Sequence, residues 1–157
     1  MINKKDCVIM SSWIPSLDRM QPYIDGLLRY YNDCDIYVGV NPSAHTEIWL
    51  QKLKDSGLTI ISGITPEPLI IPQHASAVQT ALVLYKKYKI NYNLVHFIHT
   101  KGIRYPNHKK YMEAFNTYFL GYAEKINEIR KFMDNNPQYG GWSKYGNIQY
   151  MWFYKKS

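Results

Sequence analysis

The chain has 157 residues, of which 46% are hydrophobic, 20% are charged and two are cysteines. This composition predicts one globular domain over residues 1–157 and excludes a fold that depends on disulfides or on a structural metal. The net charge of +7 is uneven, because residues 99–157 carry 10 lysines and arginines against 4 acidic residues, whereas residues 1–98 carry 9 against 8. This asymmetry suggests an anionic partner for the second half.

Short apolar runs alternate with helical patterns over the first 100 residues. The predicted elements are strand Cys7–Ser12, a helix within Ser16–Tyr31, strand Asp35–Val40, helix Thr46–Ser56, strand Leu58–Ile64, a helix over about Gln73–Tyr88 and strand Asn93–His99. Pro22 suits a first helical turn and Gly57 a C-terminal cap. Strands separated by helices predict right-handed crossovers and an α/β, Rossmann-like, mostly parallel sheet flanked by helices.

The second half begins with a different pattern, a long amphipathic helix over about Lys110–Asn135. Its apolar residues recur at spacings of three and four: Phe115, Phe119, Tyr122, Ile126, Ile129 and Met133. Tyr139–Ser143 is a candidate for a further strand, and Gly146–Tyr154 is a last apolar and aromatic stretch. The four acidic residues of this half fall within the helix and are expected on its solvated face, so no catalytic base is assigned.

Ligands of an open parallel sheet bind beyond the carboxyl ends of its strands, where the strand order reverses. With the common order 3-2-1-4, the first and fourth strands are neighbours, so the loops Ser11–Pro15 and His99–Gly102 flank one crevice. The predicted nucleotide-binding residues lie in these loops and at the start of the third helix: Ser11, Ser12, Trp13, Gln73, His99, Thr100, Lys101 and Gly102.

The residue types at this crevice suit a nucleotide. Trp13 offers a flat ring for a base or sugar, and the hydroxyls of Ser11 and Ser12 donate and accept hydrogen bonds. Lys101 provides a positive charge for a diphosphate, the glycine after it allows a tight turn, and the histidine and threonine before it suit phosphate oxygens. Gln73 lies at a predicted helix start, where free N–H groups attract anions. Taken singly, each residue also has an ordinary structural explanation.

The segments VIMSSWIPSLDRMQPYIDGLLRYY, DIYVGVN, TIISGI and YNLVHFIHTKG resemble the amino-terminal half of the nucleotide-diphospho-sugar transferases with the GT-A fold. The similarity is greatest to the branch with a His-Thr-Lys-Gly segment, found in polysaccharide-synthesis and large-virus proteins. It implies a glycosyltransferase of the hexosyltransferase type, with a UDP-sugar as the foremost donor and a glycan hydroxyl as acceptor. The later segment GNIQYMWFYKKS resembles the acceptor side, which implies roles there for Asn147 and Trp152.

The chain departs from that family in two respects. The Asp-x-Asp that holds Mn²⁺ or Mg²⁺ in the family is absent from the aligned place, which reads His99-Thr100-Lys101. We therefore expect binding without a metal, with Lys101 neutralising the diphosphate, and assign no metal ligand. The family's enzymes are also usually longer, so the chain is expected to be a minimal form, a fragment of a larger transferase, or a module without turnover.

Two alternatives stay open from sequence. The first is a non-catalytic nucleotide- or glycan-binding module of the same fold. The second is a single-stranded nucleic-acid-binding domain that uses the basic, tyrosine-rich second half, although no known RNA or DNA motif is present and the cations are scattered along helical faces. The two cysteines, the lack of a signal-peptide pattern and the lack of a membrane-spanning run predict a cytoplasmic protein.

Overall fold

The computed structural model describes residues 5–64, 92–100, 126–136, 141–142 and 152–155. The elements in chain order are β1 (Cys7–Ser12), a 3-10 turn (Leu17–Arg19), α1 (Gln21–Tyr30), β2 (Asp35–Val40), α2 (Thr46–Asp55), β3 (Thr59–Ile64), β4 (Leu94–His99), α3 (Ile126–Asn135), β5 (Gly141–Trp142) and β6 (Trp152–Lys155). The predicted helix Gln73–Tyr88 and residues 110–125 of the predicted long helix lie outside the described residues.

Within the described part of the chain, six strands form one sheet in the order β3-β2-β1-β4-β6-β5. The strands from β3 to β4 pair in parallel, which confirms the predicted order 3-2-1-4 and an α/β, Rossmann-like sheet. β6 pairs antiparallel with β4, and β5 pairs antiparallel with β6. The sheet is therefore mixed, with parallel strands on both sides of the central β1.

The first two helices begin and end where their local sequence predicts. Pro22 lies in the first turn of α1, where its missing N–H and fixed φ cost nothing. Gly57 follows α2 with a φ of +84°, a left-handed conformation that glycine adopts without strain. Trp49 and Leu53, four residues apart, turn the buried face of α2 toward the sheet.

The main core lies on one face of the sheet, where all three described helices pack. Val8 and Met10 of β1 contribute to it, as do Ile129 and Met133 of α3. The opposite face is also closed to solvent, since Cys7, Ile9 and Tyr37 are fully buried. Burial on both faces explains why the parallel strands are continuous apolar runs rather than alternating ones.

Both cysteines of the chain are buried free thiols, Cys7 on β1 and Cys34 before β2. Burial raises the pKa of each thiol well above its ordinary value, and nearby carboxylates, Asp6 for Cys7 and Asp33 for Cys34, raise it further. These thiols therefore act as small apolar side chains rather than nucleophiles. Among the described helices, none is long and apolar enough to cross a membrane.

Candidate functional site

The carboxyl ends of three neighbouring strands meet at one edge of the sheet. Ser11 of β1 is paired with Gly39 of β2 on one side and with His99 of β4 on the other. The ladder continues one residue further on both sides, because the Asn41 N–H donates to Ser12 O at 2.8 Å and the Thr100 N–H donates to Ser11 O at 3.1 Å. The loops after β1 and β4 therefore leave the sheet side by side.

A single hydroxyl joins these two loops. The backbone N–H of Trp13 donates to Thr100 Oγ1 at 3.0 Å, and Thr100 Oγ1 donates to the backbone oxygen of Trp13 at 3.2 Å. Thr100 is only 3% exposed, whereas the Trp13 side chain is half-buried and packs against the main core. The first residue after β1 is thus fixed to the first residue after β4 by both of its backbone polar groups.

The loop after β1 is held from the β2 side as well. Ser43 Oγ donates to the backbone oxygen of Ile14 at 2.6 Å, and it accepts the N–H of His45 at 3.2 Å. The Ser43 N–H in turn donates to Thr46 Oγ1 at the start of α2, at 2.8 Å. Local sequence does not reveal the contact of Ser43 with Ile14, because it depends on the pairing of β1 with β2.

The hydroxyl of Ser12 faces the interior of the protein. It accepts the indole N–H of Trp49 at 3.1 Å, lies 3.4 Å from the backbone oxygen of Gly39, to which it donates, and is 1% exposed. Ser11 is equally buried. A contact of either hydroxyl with a ligand stays a prediction, and for Ser12 a hydrogen bond donated to a phosphate oxygen would require releasing the backbone oxygen of Gly39. Local sequence does not reveal the bond between Ser12 and Trp49, because the two residues are 37 positions apart.

The remaining predicted residues fall at the same edge or outside the described residues. His99 is the last residue of β4. Trp152 opens β6 opposite Phe97, so the start of β6 lies beside the carboxyl half of β4. Four predicted site residues lie outside the described part of the chain: Gln73, Lys101, Gly102 and Asn147. Their predicted roles stay predictions.

A cluster of charged and polar groups lies at the other end of the sheet. Asp6, directly before β1, accepts hydrogen bonds on Oδ2 from Arg130 Nε at 2.6 Å and from His96 Nε2 at 3.0 Å. Its Oδ1 accepts the N–H of Leu94, the first residue of β4, at 3.1 Å. Arg130, on α3, also approaches Asp33 Oδ2 at 3.4 Å. We call Asp6, His96 and Arg130 the amino-end cluster.

The protonation states of this cluster follow from its surroundings. Burial raises the pKa of Asp6, but the hydrogen bonds and charges of His96 and Arg130 outweigh it and bring the pKa below its ordinary value of 3.8. Burial lowers the pKa of the fully buried His96 below 6.5, and Asp6 opposes this only in part. At neutral pH Asp6 is therefore a carboxylate paired with Arg130, and neutral His96 donates its Nε2 hydrogen to Asp6.

A second polar chain lies at the same end of the sheet on the opposite face. Lys5 Nζ contacts Asp35 Oδ1 at 2.5 Å, Tyr92 donates its hydroxyl to Asp35 Oδ2 at 2.9 Å, and the hydroxyls of Tyr37 and Tyr92 are 2.7 Å apart. Burial, followed by the hydrogen bonds with Tyr37 and Asp35, raises the pKa of Tyr92 well above its ordinary value. This chain links the residues before β1 and β4 to the start of β2.

Sequence reasoning assigned no role to either polar group at this end. Asp6 and His96 are separated by 90 residues, and Asp6 and Arg130 by 124. The one local signal is that a histidine and a carboxylate occur within or beside apolar strands, where a polar side chain needs a partner. Among the described residues, no three side chains of the metal-binding types come together.

No protein-family profile, curated protein or solved structure matches the chain.

Proposed function

We propose that the chain binds a nucleotide-diphosphate sugar in the crevice between the loops after β1 and β4 and transfers the sugar to a glycan hydroxyl. The observation that carries the proposal is the strand order β3-β2-β1-β4. The connections leave β1 toward β2 on one side, while β4 lies on its other side, so the strand order reverses between β1 and β4. Open α/β sheets bind their ligands at this point.

The two loops at this crevice supply the residue types that a nucleotide needs. Trp13 follows β1 with a fixed backbone and a half-buried ring, and such a ring stacks on a base or sugar. Lys101 follows Thr100 in the sequence, and a lysine in that loop would neutralise the diphosphate without the family's Mn²⁺ or Mg²⁺.

The pairing of β6 supports an acceptor side next to the donor crevice. Because β6 runs antiparallel to β4 and Trp152 lies opposite Phe97, the amino end of β6 reaches the half of β4 that ends at His99. The resemblance to GT-A transferases assigns Asn147 and Trp152 to this side. A donor bound after β1 and β4 and an acceptor bound near the start of β6 would then meet at one edge of the sheet.

A non-catalytic module of the same fold is the second candidate. It is favoured by the lack of an Asp-x-Asp after β4, where the family holds its metal, and by the lack of an assigned base. Both candidates bind the same nucleotide, so binding does not separate them. Release of nucleoside diphosphate from a UDP-sugar in the presence of a glycan acceptor separates them, since only the transferase produces it in multiple turnovers.

Thermal unfolding with UDP, GDP, CMP and dTDP, each with and without Mn²⁺, tests the binding site. A ligand at 100 times its dissociation constant adds about 2.7 kcal/mol of stability, or roughly 5–10 °C for a domain of this size. We expect one nucleotide to raise the Tm without metal in the wild type and in Lys54→Ala, an exposed lysine on α2. In Lys101→Ala the shift should be lost.

Each outcome of this panel has a definite consequence. A shift that needs Mn²⁺ keeps the site and rejects binding by Lys101 alone. If Lys54→Ala and Lys101→Ala reduce the Tm shift equally, the net charge of the protein, rather than a contact with Lys101, attracts the nucleotide. If no nucleotide raises the Tm under any condition, the proposed donor site is wrong for this chain.

A further inference from the structure

We propose that Thr100 is a positioning residue, whose hydroxyl sets the backbone of Trp13 and thereby the base-stacking surface of the crevice, rather than a group that binds phosphate. This inference rests on the proposed function for its binding consequences. The clamp itself, formed by the Thr100 hydroxyl and the two backbone polar groups of Trp13, is independent of any ligand.

The Thr100 hydroxyl already uses the one hydrogen that it can donate. A threonine hydroxyl has one hydrogen to donate, and in Thr100 that hydrogen goes to the backbone oxygen of Trp13 at 3.2 Å. Phosphate oxygens only accept hydrogen bonds at neutral pH. Thr100 would therefore have to release Trp13 before it could donate to a diphosphate, and it is 3% exposed, which leaves little surface for such a contact.

Thr100 holds both backbone polar groups of Trp13. Its N–H and its C=O both end on the same oxygen of Thr100, so one side chain fixes the peptide groups on both sides of the Trp13 Cα. The next carbonyl along the chain, that of Ile14, is held separately by Ser43. Removing the Thr100 hydroxyl thus frees Trp13 itself while the rest of the loop stays attached to β2.

A positioning role and a phosphate contact differ in which ligands lose affinity when Thr100 is substituted. A group that positions the stacking ring weakens binding of the nucleoside and of its diphosphate by the same factor. A group that contacts phosphate weakens binding of the diphosphate alone. The two roles of Thr100 are therefore distinguished by the ratio of the two dissociation constants, and Lys101→Ala provides the expected pattern of a phosphate contact.

The experiment compares the wild type with Thr100→Val, which keeps the shape and removes the hydroxyl, and with Thr100→Ser, which keeps the hydroxyl. Ser56→Ala is the matched control, because the Ser56 hydroxyl, at the end of α2, also donates to a backbone oxygen, that of Leu53, and accepts a backbone N–H, that of Leu58. Dissociation constants are measured by calorimetry for uridine and UDP, or for the nucleoside and diphosphate that the thermal panel selects. Hydrogen exchange of the Trp13 amide is measured without ligand.

We expect Thr100→Val to weaken both ligands by about tenfold and to lower protection of the Trp13 amide by a similar factor. Thr100→Ser and Ser56→Ala should match the wild type in both measurements. In the background of Trp13→Ala, Thr100→Val should have no further effect on uridine, since coupled residues are not additive.

Two results would overturn the proposal: unchanged Trp13 exchange in Thr100→Val, or weakening of UDP with unchanged uridine binding. If Thr100→Val does not fold, a loss of uridine affinity in Thr100→Ser overturns it as well. Failure of the wild type to bind any nucleotide would reject the proposed function, while the exchange measurement would still decide whether Thr100 holds Trp13.

Discussion

The two ends of the parallel sheet are built from different chemistry. At the amino end, the charges of Asp6 and Arg130 are drawn together around the buried His96, and a second ion pair lies on the other face. At the carboxyl end, the described contacts that order the loops are neutral hydrogen bonds, such as those between Thr100 and Trp13 and between Ser12 and Trp49. One end therefore depends on charges that the protein pairs itself, whereas the contacts described above between the loops at the other end are uncharged.

This difference warns against locating a site from titratable groups alone. Perturbed pKa values cluster at functional sites, but structural ion pairs produce them too. Here the shifted pKa values belong to Asp6 and His96, which lie at the amino end of the sheet, whereas the proposed crevice lies at the carboxyl ends of β1 and β4. His96 also has no exposed surface. The amino-end cluster holds β1, β4 and α3 together, and it should govern stability rather than ligand binding.

The largest expected effect is that of Asp6→Asn, which leaves Arg130 without its principal partner. Removing one member of a mostly buried ion pair costs about 3 kcal/mol, and we expect that loss in the free energy of unfolding measured with urea. Asp25→Asn is the control, because Asp25 is exposed on α1 and bonds only with Gln21 among the described contacts. Equal stability of the two variants would mean that the amino-end cluster does not hold β1, β4 and α3 together.

The next effect is a dependence of stability on pH that arises in the amino-end cluster. Because the pKa of His96 is lowered in the folded state, the unfolded chain binds the proton first as the pH falls below 6.5. Stability is therefore fully present above pH 6.5 and is lost on acidification, at up to about 1.4 kcal/mol per pH unit for one proton. The lowered pKa of Asp6 acts in the same direction below pH 3.8.

Urea unfolding between pH 7 and pH 5 measures this slope. His96→Gln should reduce it, whatever the absolute stability of the variant. A slope that persists in full in His96→Gln would assign the titration to another group and would contradict a neutral, buried His96.

A smaller effect is expected at the carboxyl end, from Ser12→Ala. The substitution leaves the buried indole N–H of Trp49 without its acceptor, which costs about 1–2 kcal/mol. In the background of Trp49→Phe, the same substitution should cost much less, since the donor is already gone. The cost should be the same at pH 7 and pH 5, and a pH-dependent cost would remove the distinction between the two ends.

The smallest effect is expected from Lys5→Ala, although Lys5 makes a short contact with Asp35 at the amino end. The lysine side chain is 44% exposed, and exposed ion pairs contribute about 0–0.5 kcal/mol. Added salt should reduce even that difference. A loss above 1 kcal/mol in urea unfolding would show that the polar chain through Asp35, Tyr92 and Tyr37 is as important as the amino-end cluster.

The local pattern of the chain was enough to predict the parallel part of the fold. β1 and β2 have the predicted bounds, and α2 ends one residue earlier than predicted, because apolar runs and Gly57 are local signals. Within the predicted strand Tyr139–Ser143, only Gly141–Trp142 is a strand in the described residues, and the strand Trp152–Lys155 was not predicted as such. The antiparallel pairing of β6 with β4 depends on contacts between distant residues, which no local pattern encodes.

The site was predictable only to the level of its edge. The neighbouring positions of the loops after β1 and β4 follow from strand order, a general property of α/β sheets. The use of the Thr100 hydroxyl by Trp13, 87 residues away, and of Ser12 by Trp49 depends on register and on helix packing. A residue type indicates which bonds a side chain can make, but the partner is decided by the assembled fold.

The contact between Arg130 and Asp6 also has a consequence for synthesis of the protein on the ribosome. The partners are separated by 124 residues, so β1 to β4 leave the exit tunnel before the arginine of α3 emerges from it. A nascent sheet at that stage would bury the carboxylate of Asp6 without its counter-charge, which is unfavourable. We therefore expect co-translational folding to stall as a loose intermediate until α3 emerges, and the chain to depend on chaperones during that interval.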